Sequence, residues 1–245
     1  CLAIEHYHFE KEGDLTEEEF ISSLEKIYKE HIYLQAGYWK TIGVSIINSS
    51  FTFIPKALYI NEHRRDYLRL NVDVSNNDRV VTYKHSSRDF VNIFAAGEQT
   101  LSWIEGQYPN NTVKVSHFTS SLVKAIAKLD SQRVEPQLYL WIEDDLLTVL
   151  YQENKDLKFL NTYPYKSPSD LVYYTMLVVN EMKLDAENTK ATLWGIAPHA
   201  DSWAQLSALI NKVELGKRPS FLKFRYMFDE LSDFEFNELF NSYLV

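Results

Sequence analysis

The 245-residue sequence predicts an α/β protein with mixed sheets, built from two related halves. Two observations carry that expectation. Short runs rich in β-branched and aromatic residues alternate with longer runs whose apolar residues recur at helical spacing. One arrangement also occurs twice: an extended run ending aromatic-x-aromatic, then a capped helix, then a further strand. Tyr7 and Phe9 precede the helix of the first copy, Tyr163 and Tyr165 that of the second. The length suits one large domain or two of about 120 residues each.

Residues 2–9 place Leu2, Ile4, His6 and His8 on one face and Ala3, Glu5, Tyr7 and Phe9 on the other, which is the period of a strand. Thr16, with Glu19 three residues later, makes a capping box for a helix that carries Phe20, Leu24, Ile27 and His31 along one face. Residues 41–47 and 50–59 read as strands, the second marked by Pro55, which has no N–H for a ladder. Asn61 caps a short helix to Leu70. Strands over 79–83 and 90–95, a helix with Leu101, Ile104 and Tyr108, and a strand over 112–118 follow. Thr119 or Ser120 then caps a helix with Leu122, Ile126 and Leu129.

The polar stretch 130–136, closed by Pro136, is the expected boundary, dividing the chain into residues 1–133 and 134–245. Beyond it, 137–142 and 146–151 form a hairpin about Glu143-Asp144-Asp145, and 157–165 a third strand. Ser167-Pro168, with Asp170, opens a helix over 171–182 that is apolar almost all round. A strand over 189–196 follows, then a helix opened by Asp201 or Ser202. Ser232 and Glu235 set up a last helix bearing Phe236, Leu239, Phe240, Tyr243 and Leu244. When the two copies are aligned, the hairpin 137–151 has no counterpart. The expectation is therefore that residues 2–9 pair in a sheet as the equivalent of 157–165, and that the first strands of the N-terminal half are missing from this chain.

A net charge of −9, with no Lys/Arg run longer than Arg64-Arg65, argues against a nucleic-acid partner. Lys56, Arg64, Arg65 and Arg69 could form a local patch, but they read more simply as a solvated helix face. The longest uncharged apolar stretch, around Met176, falls well short of the ~20 residues of a membrane span. The first ten residues carry charges and do not resemble a signal peptide. One cysteine, Cys1, leaves no intrachain disulfide framework, which favours the cytoplasm.

Phe51-Thr-Phe-Ile-Pro-Lys-Ala-Leu-Tyr59, Tyr163-Pro-Tyr-Lys-Ser-Pro-Ser-Asp-Leu-Val-Tyr-Tyr174 and the aromatic tail over 231–244 together resemble an uncharacterised bacterial family, the domain of unknown function 3822. The resemblance implies the duplicated, ribonuclease-H-like fold of actin, the seventy-kilodalton heat-shock chaperones and sugar kinases, and it assigns no activity. In working members of that superfamily, two Asp-x-Gly hairpins embrace the nucleotide phosphates and a Gly-Gly pair meets the adenosine. Glycine is needed there because a Cβ would keep backbone amides from the phosphate. The resemblance puts the second hairpin at Glu143-Asp144-Asp145, which has no glycine, and the adenosine position at Gly195, one glycine where two are expected.

Glu143, Asp144 and Asp145 could hold magnesium, since clustered carboxylates suit a hard cation, but aspartate is also a common turn residue. His6 and His8 have chelating spacing without further ligands at motif distance. Asp201 beside His199 is explained by helix capping. No Gly-x-Ser-x-Gly, Walker loop or Gly-x-Gly-x-x-Gly is present among seven glycines. The tail aromatics Phe221, Phe224, Tyr226, Phe228, Phe234, Phe236, Phe240 and Tyr243 fit either a packed core or a partner face. The reading favoured is a non-catalytic binding or assembly module with a protein partner, no cofactor and no catalytic residue. The alternatives are a diverged nucleotide-dependent ATPase or kinase, for which Asp144, Asp145 and Gly195 are the candidate contacts, and a metal-dependent nuclease or phosphatase.

Overall fold

Two capping boxes organise two equivalent helices. The hydroxyl of Thr16 accepts from the Glu19 amide and the Glu19 carboxylate from the Thr16 amide, which starts α1 (Glu17–Glu30). Ser167 and Asp170 do the same for α5 (Pro168–Glu181), with proline in its first turn. These elements belong to a computed structural model that describes residues 1–9, 15–86, 88–129, 135–143 and 145–245. The described residues fall into two compact units, Ile4–Ser120 and Ser121–Val245 with Cys1–Ala3. The expected boundary at 130–136 lies largely outside the described residues.

The C-terminal unit is built on β6 (Gln137–Glu143), β7 (Leu146–Glu153), β8 (Asp156–Pro164), β9 (Lys190–Gly195) and β10 (Lys212–Leu215), in the order β10-β9-β6-β7-β8. β6, β7 and β8 form an antiparallel meander, while β9 joins β6 and β10 in parallel. Parallel pairing requires a crossover, supplied by α5 and by α6 (Ala200–Leu209). Leu138, Leu140, Ile142, Leu147, Val149 and Leu193 point to one face of the sheet. They pack with Leu171, Val178 and Val179 of α5 and Leu206 of α6. The tail, ending in α7 (Asn237–Ser242), lies against β9, and Trp141 of β6 donates its indole N–H to Glu238.

The N-terminal unit repeats part of this plan. α1 and α5 each span 14 residues, and β1 (Thr41–Ile46) and β9 each span 6. α3 (Glu98–Gln107) and α6 each span 10. β5 (Thr112–His117) runs parallel to β1 as β10 does to β9. Between β1 and α3 the chain inserts β2 (Phe51–Pro55), α2 (Arg64–Arg69), β3 (Asp78–Lys84) and β4 (Phe90–Gly97). These strands form an antiparallel sheet in the order β2-β4-β3, with its own core of Leu68, Val80, Val91, Ile93 and Ala95. Pro55 ends the edge strand β2, where its missing N–H does no harm.

Several expectations fail. Asn61, Asp201 and Ser202 cap no helix, because the N-cap positions of α2 and α6 are His63 and His199. Residues 2–9 form no strand. Their alternation is real, but no neighbouring strand offers a ladder among the described residues, and both faces of the segment are exposed. Thr119 and Ser120 are not caps, because α4 (Phe118–Leu129) begins before them. Both hydroxyls instead accept from the Asn92 side-chain amide inside the unit, each at 2.9 Å. Ser232 and Glu235 make a turn rather than a capping box, and α7 starts at Asn237, after Phe236 at the N-cap position in the left-handed region at φ 55°.

His117 shows how tightly the end of β5 is bound in. It is fully buried. Nε2 lies 3.1 Å from the Asn48 carbonyl, which can only accept, so Nε2 carries the proton and Nδ1 accepts from the Thr119 hydroxyl at 2.7 Å. The ring is thus fully used while neutral, and burial pushes its pKa down from 6.5 to about 3. The unfolded chain takes up a proton as pH falls below 6.5 and the folded chain does not until about 3. Across that window this group should lower stability by about 1.4 kcal/mol per pH unit. Urea unfolding at a series of pH values should show this slope in the native protein and its loss in His117→Gln. An unchanged slope would mean that other groups govern acid unfolding.

Candidate functional site

The hairpin turn, the start of α5 and the end of β9 come together at one end of the C-terminal sheet. β6 and β7 pair Glu143 with Leu146 at the turn end of the hairpin. Asp144 lies outside the described residues. The Asp145 carbonyl accepts the Tyr165 amide at 2.7 Å, which ties the turn to the segment entering α5. In β9, Ile142 of β6 is the register partner of Gly195. Glu143, Asp145 and Gly195 therefore lie at one end of the C-terminal sheet.

Gly195 is explained by this packing. Its φ of 93° is a conformation L side chains rarely adopt, and a Cβ there would land on the Ile142 carbonyl oxygen. That carbonyl accepts the next amide, Ile196, at 2.9 Å. The Gly195 amide is itself donated to the Phe234 carbonyl of the tail at 2.8 Å. The Gly195 amide is thus already satisfied within the chain.

The tail is held by residues that the sequence reading passed over. Arg218 donates through Nη2 to the carbonyls of Phe228 and Leu231, and its Nε lies 3.3 Å from Asp233. Phe224, Phe228 and Phe240 make edge-to-face contacts, with Phe228 and Phe240 buried. Core packing is therefore the role of these three, whereas Tyr226 and Tyr243 stay exposed. Burial raises the Glu238 pKa, opposed by its own amide, the Trp141 indole and the Leu239 amide. An acidic residue in the first turn of a short, mostly polar helix gave no signal beyond surface charge.

Two amides just ahead of α5 are taken by its own first turn. The amides of Lys166 and Ser167 both reach the Asp170 carboxylate at 2.7 Å, and these bonds hold its pKa below the usual range. Beside them lies an open cleft of about 320 Å³, lined by Tyr165, Lys166, Ser167, Pro168, Ala197 and His199. His199 and Asp201 are 3.9 Å apart and exposed. The N-terminal unit has a cleft of about 560 Å³ in the equivalent place, at the end of β1 and the starts of α1 and α3. There, Glu17 of α1 accepts the Thr100 amide of α3 at 2.8 Å, and its carboxylate occupies the space a Cβ on Gly97 would need. In both units a carboxylate of the chain fills the helix N-terminus that would otherwise attract an anion.

The other candidates stay apart. His6 and His8 contact each other with their rings tilted by 56° and centroids 4.2 Å apart, on an exposed segment. Arg65 donates to the carbonyls of Ser75 and Asp78, which fixes a loop, while Lys56, Arg64 and Arg69 face solvent. Among the described residues, no three His, Cys, Asp or Glu side chains converge as a metal site requires, and no helix is long and apolar enough to cross a membrane.

A family model described as "Protein of unknown function (DUF3822)" matches residues 1–213, which leaves the tail beyond the match. No curated protein matches the chain by sequence. One similar solved structure is a Bacteroides thetaiotaomicron protein with an actin-like ATPase fold and unknown function. Its identity is 20% and its TM-score 0.76, over 85% of this chain and 80% of that one. Another is from a PilM–PilN type IV pilus biogenesis complex, 11% identical with a TM-score of 0.58, over 91% and 84% of the two chains. At these identities the likeness is one of fold: the chain has the actin-like ATPase fold.

Two substitutions test the packing of this end of the sheet. Gly195→Ala should cost roughly 1–3 kcal/mol through backbone strain alone, with the carbonyl clash adding to it. Chemical denaturation that finds no loss would free Gly195 for another role. For Glu238, a folded pKa above 4.5 means that the native protein loses stability as pH rises through that value. Glu238→Gln should therefore be more stable than the native protein at neutral pH, and the gain should vanish below 4.5, where both carry a neutral group.

Proposed function

We propose, for a chain that belongs to the DUF3822 family of proteins of unknown function, that it is a non-catalytic binding or assembly module working on a protein partner in the cytoplasm. The observation that carries this reading is the bond from the Gly195 amide to the Phe234 carbonyl. Nucleotide binding of the kind the fold supports in other proteins needs backbone amides free to meet phosphate and adenosine. Here Gly195 serves the tail, and the amides of Lys166 and Ser167 serve Asp170. The turn at Glu143 and Asp145 brings carboxylates in place of glycine. One carboxylate about 5 Å from a phosphate oxygen costs on the order of 3 kcal/mol at an effective dielectric near 20. Two such contacts would offset most of the ~8 kcal/mol of a micromolar site.

A protein partner is supported by the PilM–PilN structure, in which a chain of this fold stands in a complex. The net charge of −9 favours a protein over a nucleic acid as that partner.

Calorimetric titration with ATP, with and without magnesium, should give no saturable heat corresponding to a Kd below about 1 mM. Micromolar binding that needs magnesium and disappears in Asp145→Asn would make the turn a metal-nucleotide site, and the non-catalytic reading would fall.

A further inference from the structure

The small antiparallel sheet of the N-terminal unit turns two apolar side chains outward in one short stretch. β2 runs out at Pro55, and residues 56–63 cross to α2, which packs Leu68 with Val80, Val91 and Ile93 of the sheet. Within that crossing Tyr59 turns inward to the same core. Leu58 and Ile60, on either side of it, turn outward and are 65% and 53% exposed. A lone aliphatic side chain on a surface is ordinary. Here two of them are held out by the backbone.

Hydrogen bonds fix that backbone. The Lys56 amide donates to the Asp89 carbonyl at 2.9 Å, and the Tyr59 amide to the Lys56 carbonyl at 3.3 Å. The Tyr67 hydroxyl, from α2, donates to the Leu58 carbonyl at 2.7 Å and accepts the Ile60 amide at 3.2 Å. The His63 amide closes on the Ile60 carbonyl at 3.1 Å, so Arg64 follows Ile60 by about one turn. Side chains carried on a backbone bound at so many points meet a partner with little ordering cost. Cations surround the pair. Lys56, Arg64 and Lys84 are exposed, and Lys84 Nζ lies 5.4 Å from the centre of the Tyr59 ring. Residues 56–70 carry four basic and two acidic side chains, in a chain whose net charge is −9. The acidic ones are Glu62 and Asp66, and Asp66 faces His63 at 3.1 Å.

We propose that Leu58 and Ile60, with Lys56, Arg64 and Lys84 around them, form a docking site for an acidic amphipathic helix of a protein partner. Its apolar side chains cover Leu58 and Ile60, and its carboxylates meet the three cations. The proposal names the surface used by the protein partner proposed above and rests on that reading. The occupant is a helix rather than an added strand because the free edge of β2 ends in Pro55, which has no N–H for a ladder. An anionic membrane fits less well. Glu62 and Asp66 lie within the stretch, the whole chain is acidic, and lipid headgroups are held by denser basic clusters than this one.

Fluorescence anisotropy tests the proposal with a labelled synthetic helix, leucine along one face and glutamate elsewhere, and a counterpart with lysine for glutamate. The acidic peptide should bind with a Kd of about 100 μM or tighter, and the lysine counterpart should not bind. Leu58→Ser and Arg64→Glu, both at exposed positions, should each weaken binding at least about fivefold. Salt at about 1 M, where the screening length falls to about 3 Å, should weaken it as well. No saturable binding below about 1 mM, or binding that both variants leave unchanged, would overturn the proposal. Self-association lost in Leu58→Ser would overturn it by giving the patch to a second copy. Sedimentation with phosphatidylserine vesicles, lost in Arg64→Glu, would overturn it by giving the patch to a membrane. The ATP titration separates the two readings: a failed peptide without ATP binding removes this patch alone, whereas micromolar ATP binding removes the non-catalytic reading beneath it.

Discussion

The C-terminal unit depends on the parallel ladder between β6 and β9. These strands are distant in sequence, and their pairing brings Leu138, Leu140 and Ile142 beside Ala191 and Leu193, all fully buried. The ladder also dictates how the site end is built. Ile142 sits beside Gly195, so the chain can turn away after β9 only with a residue that tolerates positive φ and leaves room for a carbonyl. Glycine at 195 is thus a requirement of sheet closure before it is anything to do with a ligand.

The ladder also constrains chemistry. Buried amides must find acceptors, and here they find them inside the chain. The tail supplies the Phe234 carbonyl and α5 supplies the Asp170 carboxylate to its own start. In the N-terminal unit Glu17 fills the corresponding place at the start of α3. In this chain those donors serve the structure. The tail is held firmly enough to keep them: Arg218 crosses it with bonds to two carbonyls, and Trp141 reaches Glu238 from the sheet.

The repeat shows that a motif's pattern and its burial are separate facts. α1 and α5 share length and cap because both follow from local residues, a hydroxyl and a carboxylate three apart. Their burial differs because it depends on what lies beneath. α5 packs on a five-stranded sheet, whereas α1 contacts α3 and buries no residue.

Much of the architecture was legible because it is local. The capping boxes, the hairpin at Glu143-Asp144-Asp145, the strand β1 and the breaking proline at 55 each rest on residues a few positions apart. The failures came where local pattern needed a distant partner. Residues 2–9 alternate like a strand but have no neighbour to pair with, and Thr119 and Ser120 look like caps but turn inward to Asn92. The sequence by itself determined the helices, most strands and the repeat, since propensity, capping and periodicity act over a few residues. Only the tertiary structure decided that Gly195 serves the backbone and that Arg218 and Glu238 hold the tail. Each of those depends on which segments, far apart in the chain, arrive at the same place.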